Sequence, residues 1–422
     1  MNQSTLHIKN GRLIDPKNDT EQVADLFIRG ETICAIGTAP EGFIADKQID
    51  ASGMWVLPGL VDLSVRLPEP SAIKSEMTAA VAGGVTTLCC TPNTLPVIDT
   101  PAVAKLISEK AAQAGIARVN CIGALTQGLD GTYPSEMVAL KQAGCVALTN
   151  LRRPFASTRV LLHCLQYAAT HQIRVFLSPL DHSLADDGCS HEGEVSVRLG
   201  LAGIPETAET AAIATSLLLV EQTGVQMHYS QISSARSVEL IREAQRKGLS
   251  VTAGVAVPQL LYTEKSIENF NSAYHLQPPL RTENDRLALI EGVIDGTIST
   301  ICSDHQPLSA ASKMAPFAAT EPGISGLQTL LPLAVQVLRE HSAGLPLIIR
   351  RLTQGPAAVI GVEHIGLAEG DTADLTIFDP NQQYQLDREH WYSAGLNNPN
   401  IGQTLTGKVQ STFFGGRLVY QA

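Results

Sequence analysis

Apolar strand-like segments alternate with helical patterns through most of this chain, and that alternation limits it to few folds. The segments are 60–66, 85–91, 118–124, 145–149, 173–178, 225–231, 250–256 and 297–303. Eight strand–helix units over about 300 residues predict a (β/α)₈ barrel of the α/β class. One intervening helix is well marked at both ends. Ser233 and Ser234 precede Val238, Leu240, Ile241 and Ala244, and Gly248 follows, giving an N-cap, an apolar face and a C′ glycine in order. Stretches 180–194 and 305–323 read as long loops after strands, so both are expected at the end of the barrel where active sites form.

The two ends of the chain follow a different pattern. Residues 1–57 alternate apolar and polar, with turns at Asn10-Gly11, Arg29-Gly30 and Ser52-Gly53. Residues 366–422 do the same, with strands at Ala373–Asp379 and Arg417–Tyr420. These ends are expected to pair into one small β-sandwich domain, leaving 58–365 for the barrel.

The chain has 422 residues, of which 44% are hydrophobic and 17% charged, enough apolar material for a large core. The net charge of -11, with scattered basic residues, argues against nucleic acid or an anionic membrane as partner. The eight Cys form no C-x-x-C pair, and most lie in apolar runs, so buried free thiols in a reducing cytoplasm are expected. Met1–Thr5 has no basic or apolar leader character, and no run approaches the ~18 apolar residues of a membrane span.

Several stretches resemble bacterial dihydroorotases of the amidohydrolase superfamily: Leu57–Pro70, Ala82–Thr87 running to Thr91-Pro92-Asn93-Thr94, Leu199–Pro205, Ser237–Arg242, Pro278–Glu283, Ser303-Asp304-His305 and Gly370–Pro380. The resemblance implies a metal held by a His-x-His pair on strand 1, a carboxylate after strand 4, one His each from strands 5 and 6, and an Asp from strand 8. Here those positions carry Ser64 and Arg66, Asn150, Ser178, Gln231 and Asp304. Only Asp304 matches. A hydroxyl is a weak zinc ligand, and a guanidinium has no lone pair to offer.

Positions that the resemblance assigns to the substrate pocket are altered too. Pro68, Gln277 and Leu308 stand where the family has Arg, Asn and His, whereas Asn93 and Gly323 match. A metal lowers the pKa of bound water from about 16 to about 7, roughly 12 kcal/mol of nucleophile activation. Asp304 alone, as a general base, supplies about 3–5 kcal/mol. No catalytic residue, metal ligand or cofactor is therefore expected.

Other residues offer poor replacements. Strand parity points His228 away from Gln231 toward the helices, and His305 has the same parity problem beside Asp304. His182 and His191 lie with Asp181, Asp186, Asp187 and Glu192 in what reads as a solvated acidic loop. Arg66 has two alternatives: it fills the old metal space and pairs with Asp304 or Asp62, or it extends to solvent at the barrel mouth.

Some bacterial dihydroorotase-like chains are non-catalytic subunits of aspartate transcarbamoylase. The resemblance thus implies a pseudoenzyme in pyrimidine biosynthesis, joined to the catalytic trimers in a large hetero-oligomer and self-associating as a dimer. A competing class is a working amidohydrolase, metal-dependent or metal-free, that opens a cyclic amide with Asp304, as a dihydroorotase or hydantoinase does. A third is a small-molecule sensor using the emptied pocket, although no phosphate-binding loop supports nucleotides.

Overall fold

The computed structural model describes residues 4–69, 72–362 and 365–422. Met1–Gln3 and Pro70 of the stretches read above lie outside these. Five strands open the chain: β1 (Thr5–Asp15), β2 (Thr20–Arg29), β3 (Thr32–Ile36), β4 (Lys47–Asp50) and β5 (Trp55–Pro58). The barrel begins with β6 (Leu60–Val65), β7 (Val85–Cys90), β8 (Arg118–Ala124), β9 (Ala147–Thr149) and β10 (Val175–Leu177). A small pair, β11 (Ser190–His191) and β12 (Gly203–Ile204), follows β10. β13 (Met227–Tyr229), β14 (Val251–Ala256) and β15 (Thr300–Cys302) complete the barrel, and β16 (Leu375–Gln385), β17 (Thr404–Phe414) and β18 (Arg417–Gln421) end the chain.

Each barrel strand falls within a segment anticipated from its apolar run. Neighbours pair in parallel in the order β6-β7-β8-β9-β10-β13-β14-β15. The β15–β6 seam is closed just beyond the strands. There His305 N–H donates to Ser64 C=O (3.0 Å), and Arg66 N–H donates to His305 C=O (2.8 Å). The terminal strands form a second eight-stranded sheet, β18-β17-β16-β5-β1-β2-β3, with β4 added beside β1. The two ends of the chain thus share one sheet. It is tied to the barrel where Thr376 Oγ1 donates to Gly84 C=O (2.8 Å). Gly84 has φ +81°, and a Cβ there would meet Thr376 Cγ2 at 2.7 Å.

Alternation along the strands divides the core. Leu148, Val175, Met227, Tyr229, Val251 and Val255 face outward and pack with helix residues such as Leu165, Ile213, Val238 and Ile241. Val61, Leu63, Cys89, Ile122, Ala147 and Phe176 fill the interior, and Ala357, Val359 and Ile360 of helix Gln354–Ile360 join them from below. The helix Ala235–Arg246 ends as its sequence predicts. Ser234 Oγ accepts from Ser237 N–H, Val238, Ile241 and Ala244 are buried, and Gly248 follows with φ +81°. Burying side chains such as Val238 and Ile241 stabilises by about 1.5–3 kcal/mol each. All eight thiols are free, seven of them buried and Cys34 half-buried. Among the described residues, no helix is long and apolar enough to cross a membrane.

Candidate functional site: the barrel mouth

The C-terminal ends of the barrel strands surround a cavity of about 450 Å³. Its wall includes Ser64, Arg66, Arg152, Gln231, Gln277 and Asp304. Three residues just past the strand ends, Leu151, Gln231 and Asp304, hold positive φ of 52°, 48° and 49°. Non-glycine residues there cost of order 1–3 kcal/mol each and persist where surrounding contacts fix them, often at functional sites.

Asp304 is nearly buried, and Ser64 Oγ donates to its Oδ1 at 3.0 Å. Arg152 Nη2 stands 3.9 Å from Asp304 Oδ2 and donates to Gln231 Oε1 at 3.1 Å. Ser178 Oγ donates to the same Gln231 oxygen at 3.4 Å. Burial pushes the Arg152 guanidinium below its ordinary pKa, with Asp304 opposing the shift. Deeper in the barrel, Asp62 accepts the N–H groups of Ser64 and Ser303, each at 3.0 Å. Burial pushes its carboxyl up to about 6 against these hydrogen bonds.

Four of the six positions expected to mark a lost metal site therefore meet directly: Ser64 touches Asp304, and Ser178 touches Gln231. Arg66 lies on the same wall. Asn150 does not join them. Its Oδ1 accepts from Thr126 Oγ1 at 2.6 Å, and its Nδ2 donates to Arg153 C=O at 3.4 Å. Of the pocket positions, Asn93 and Gln277 line the cavity, whereas Pro68, Leu308 and Gly323 do not. Leu308 is buried and its N–H donates to Asn397 Oδ1 (3.0 Å), while Gly323 C=O accepts from Asn397 Nδ2 (3.0 Å).

The pairing of Arg66 with Asp304 or Asp62 does not form. Strand β6 ends at Val65, and the Arg66 side chain lies half-buried along the wall. Its Nε is buried with no hydrogen-bond partner among the described residues. Arg152, supplied by the turn after β9, approaches Asp304 instead.

The histidines also differ from expectation. His228 faces the barrel interior, not the helices. Its Nδ1 lies 2.9 Å from Thr252 Oγ1, and its ring packs 4.8 Å from that of Phe176. Parity failed because β13 stops at Tyr229 and the positive φ of Gln231 breaks the alternation. Burial pushes His228 down to about 3. His182 is exposed at the rim, as a solvated loop requires, but His191 is buried with Nδ1 3.1 Å from Arg281 Nη1. Burial, reinforced by that guanidinium, pushes His191 down to about 4. The 180–194 stretch is also more ordered than a loop, containing helix His182–Ala185 and β11.

His305 anchors the seam. Its Nε2 lies 2.8 Å from Glu76 Oε2, and both side chains are fully buried. Burial opposes ionisation of Glu76, but the hydrogen bond and charge of His305 outweigh it and hold the carboxyl below its ordinary value. Sequence reasoning did not single out Glu76 or Asn397. It also missed the buried Arg281–Glu209 pair (3.7 Å). There Glu209 Oε1 accepts Ser233 N–H (2.9 Å) and Ser237 Oγ (2.5 Å), holding the start of helix Ala235–Arg246. The matched Arg281 of Pro-Pro-Leu-Arg thus supports the fold.

The chain is 50% identical over 422 residues to a dihydroorotase-like protein of Pseudomonas aeruginosa, spanning 99% of this chain and 100% of the relative. It belongs to the dihydroorotase-like family. Residues 53–237 match the family described as Dihydro-orotase-like. A dihydroorotase of Syntrophotalea carbinolica is 38% identical over 419 residues, 98% of each chain. The L-hydantoinase (dihydropyrimidinase) of Arthrobacter aurescens superposes with a TM-score of 0.87 at 23% identity, over 100% of this chain and 96% of its own, and shares the fold.

The metal that the resemblance implied does not fit the residues present in this member of the family. Its place is bordered by the hydroxyls of Ser64 and Ser178, the amide of Gln231 and one carboxylate with a guanidinium beside it. Among the described residues, no group of three His, Cys, Asp or Glu could hold a metal ion. The arrangement can donate hydrogen bonds and offer positive charge.

Proposed function

We propose that this chain is a dihydroorotase-like protein without dihydroorotase chemistry, serving as a non-catalytic subunit of aspartate transcarbamoylase in cytoplasmic pyrimidine synthesis. The observation that carries the reading is Arg152 beside Asp304: a guanidinium stands 3.9 Å from the carboxylate that the resemblance makes a metal ligand. The well-packed barrel and the sheet built from both termini then act as a scaffold. In this reading the chain self-associates as a dimer and joins transferase trimers in a large hetero-oligomer.

A second reading is supported by the relatives named dihydroorotase and by the retained Asp304 in the cavity. Under it, the chain is an active cyclic amidohydrolase. Co-expression with the aspartate transcarbamoylase catalytic chain, followed by size-exclusion chromatography, tests the first reading. Co-elution in one large species is expected, and separate elution overturns it. A dihydroorotate ring-opening assay on purified protein, with its zinc content measured, tests the second. Turnover abolished by Asp304→Ala would establish activity and exclude a scaffold-only role.

A further inference from the structure

We propose that the barrel-mouth cavity binds a small oxyanion, carried as a carboxylate or phosphate on a metabolite, between Arg66, Arg152 and Arg153. Among the described residues, three arginines and a single acidic residue, Asp304, line this cavity. The chain as a whole carries a net charge of -11, so its composition does not account for such a cluster.

The donors are available. Arg66 Nε is buried and lacks a hydrogen-bond partner among the described residues. Such a group calls for an acceptor, because a buried donor left unsatisfied has given up its water for nothing. Arg152 uses Nη2 on Gln231 and meets its carboxylate neighbour only at 3.9 Å. No other hydrogen bond occupies its guanidinium among the described residues, so most of its fork remains open. Arg153 is exposed at the rim and makes no ion pair among the described residues. Asn93 Oδ1 accepts from Thr91 Oγ1 (2.8 Å), leaving its Nδ2 to donate from the same wall.

Planar guanidinium forks bind carboxylate and phosphate oxygens through paired hydrogen bonds, strengthened by charge and partial burial. A cavity of about 450 Å³ suits a small metabolite. The site therefore inverts the charge of its ligand, with an anion in place of the metal cation. This inference stands apart from the assembly proposed above, because the cavity is complete within one chain.

Isothermal titration calorimetry on the isolated full chain tests it, using inorganic phosphate and succinate as probes and sodium chloride to match ionic strength. Saturable binding is expected for at least one probe. The preferred probe distinguishes a phosphorylated from a carboxylated ligand. Arg66→Met and Arg153→Met should each weaken binding by about tenfold or more, the loss expected for a charge-assisted contact. Arg236→Met, on an exposed helix face, should leave it unchanged. Because Arg153 is exposed, its variant remains informative even if Arg66→Met folds poorly. No saturable binding of either probe overturns the proposal. So does binding reproduced by chloride, or equal affinity in wild type and Arg153→Met. Transferase is absent from this experiment, so its failure would leave the assembly reading to its own test.

Discussion

Arg152 Nη2 lies 3.9 Å from Asp304 Oδ2, joining the turn after the fourth barrel strand to the end of the eighth. The contact crosses the barrel mouth between two residues held at the ends of separate strands. Arg152 is also hydrogen-bonded to Gln231 from the sixth strand, and Ser64 from the first bonds Asp304. Four strand ends thus meet in one polar cluster, whose internal charge balance rests on one guanidinium and one carboxylate.

Removing either partner should destabilise the chain, and removing both should cost less than the sum. The side chains are 18% and 12% exposed, placing the pair between an exposed and a buried ion pair. Arg152→Met and Asp304→Asn should each cost about 1–2 kcal/mol, with a coupling of about 1 kcal/mol. Urea denaturation of both single variants and the double variant gives this coupling directly. Additivity within about 0.3 kcal/mol would mean that the two groups do not interact.

Asn397 should control the order of the mouth. Its Nδ2 donates to Gln306 C=O and Gly323 C=O, both at 3.0 Å. Its Oδ1 accepts Leu308 N–H (3.0 Å) and Ser325 Oγ–H (2.8 Å). One buried amide therefore fastens both ends of the 305–323 loop. Asn397→Ala leaves several buried groups without partners and should cost about 2–4 kcal/mol. Hydrogen exchange should accelerate selectively at the N–H of Leu308 and its neighbours. An unchanged exchange pattern would show that other contacts hold the loop.

Much of this architecture was legible because apolar runs and caps are local signals. Eight apolar segments marked eight barrel strands, and Ser234, Val238, Ile241 and Gly248 marked a helix from end to end. Of the site, residue identity was legible, since Ser64, Arg66, Gln231 and Asp304, all singled out in the sequence, line one cavity. Partner choice was not. Whether Arg66 or Arg152 would approach Asp304 depends on where β6 ends and how the chain turns after β9. His228 failed for a related reason: period-two alternation holds only while the strand continues. Glu76, Asn397 and Glu209 were missed because each finds its partners far along the chain, so no local pattern sets them apart from surface polar residues.

His228 should make stability fall on mild acidification. Burial holds its folded pKa at about 3, below the ordinary 6.5. Between those values the unfolded chain binds the extra proton. The stabilising contribution is complete above pH 6.5 and is lost as pH drops toward 3, at up to about 1.4 kcal/mol per pH unit. His191 and His275, each lowered to about 4 by burial, act in the same direction. Asp62, raised to about 6, opposes them below that pH. Comparison with His228→Asn isolates the single contribution. That variant should be less stable at pH 7 but show a flatter stability profile from pH 6.5 to 4. Parallel urea-midpoint profiles for the two proteins would exclude the assignment.

Restoring metal ligands should succeed only if the guanidinium is also removed. Ser64→His, Arg66→His, Ser178→His and Gln231→His place four imidazoles at the positions that the resemblance assigns to a metal. With Arg152 retained, a divalent cation would enter beside a fixed positive charge, and one unit charge at ~4 Å opposes another by about 4 kcal/mol in a partly screened setting. Adding Arg152→Gly removes that repulsion and frees Asp304 as a ligand. The fivefold variant should hold zinc near one equivalent after dialysis, while the fourfold variant should bind at least about tenfold more weakly. Elemental analysis and competition with a chromophoric chelator measure both. Equal zinc affinity in the two variants would show that loss of ligands alone, and not the charge of Arg152, sets the metal affinity of this cavity.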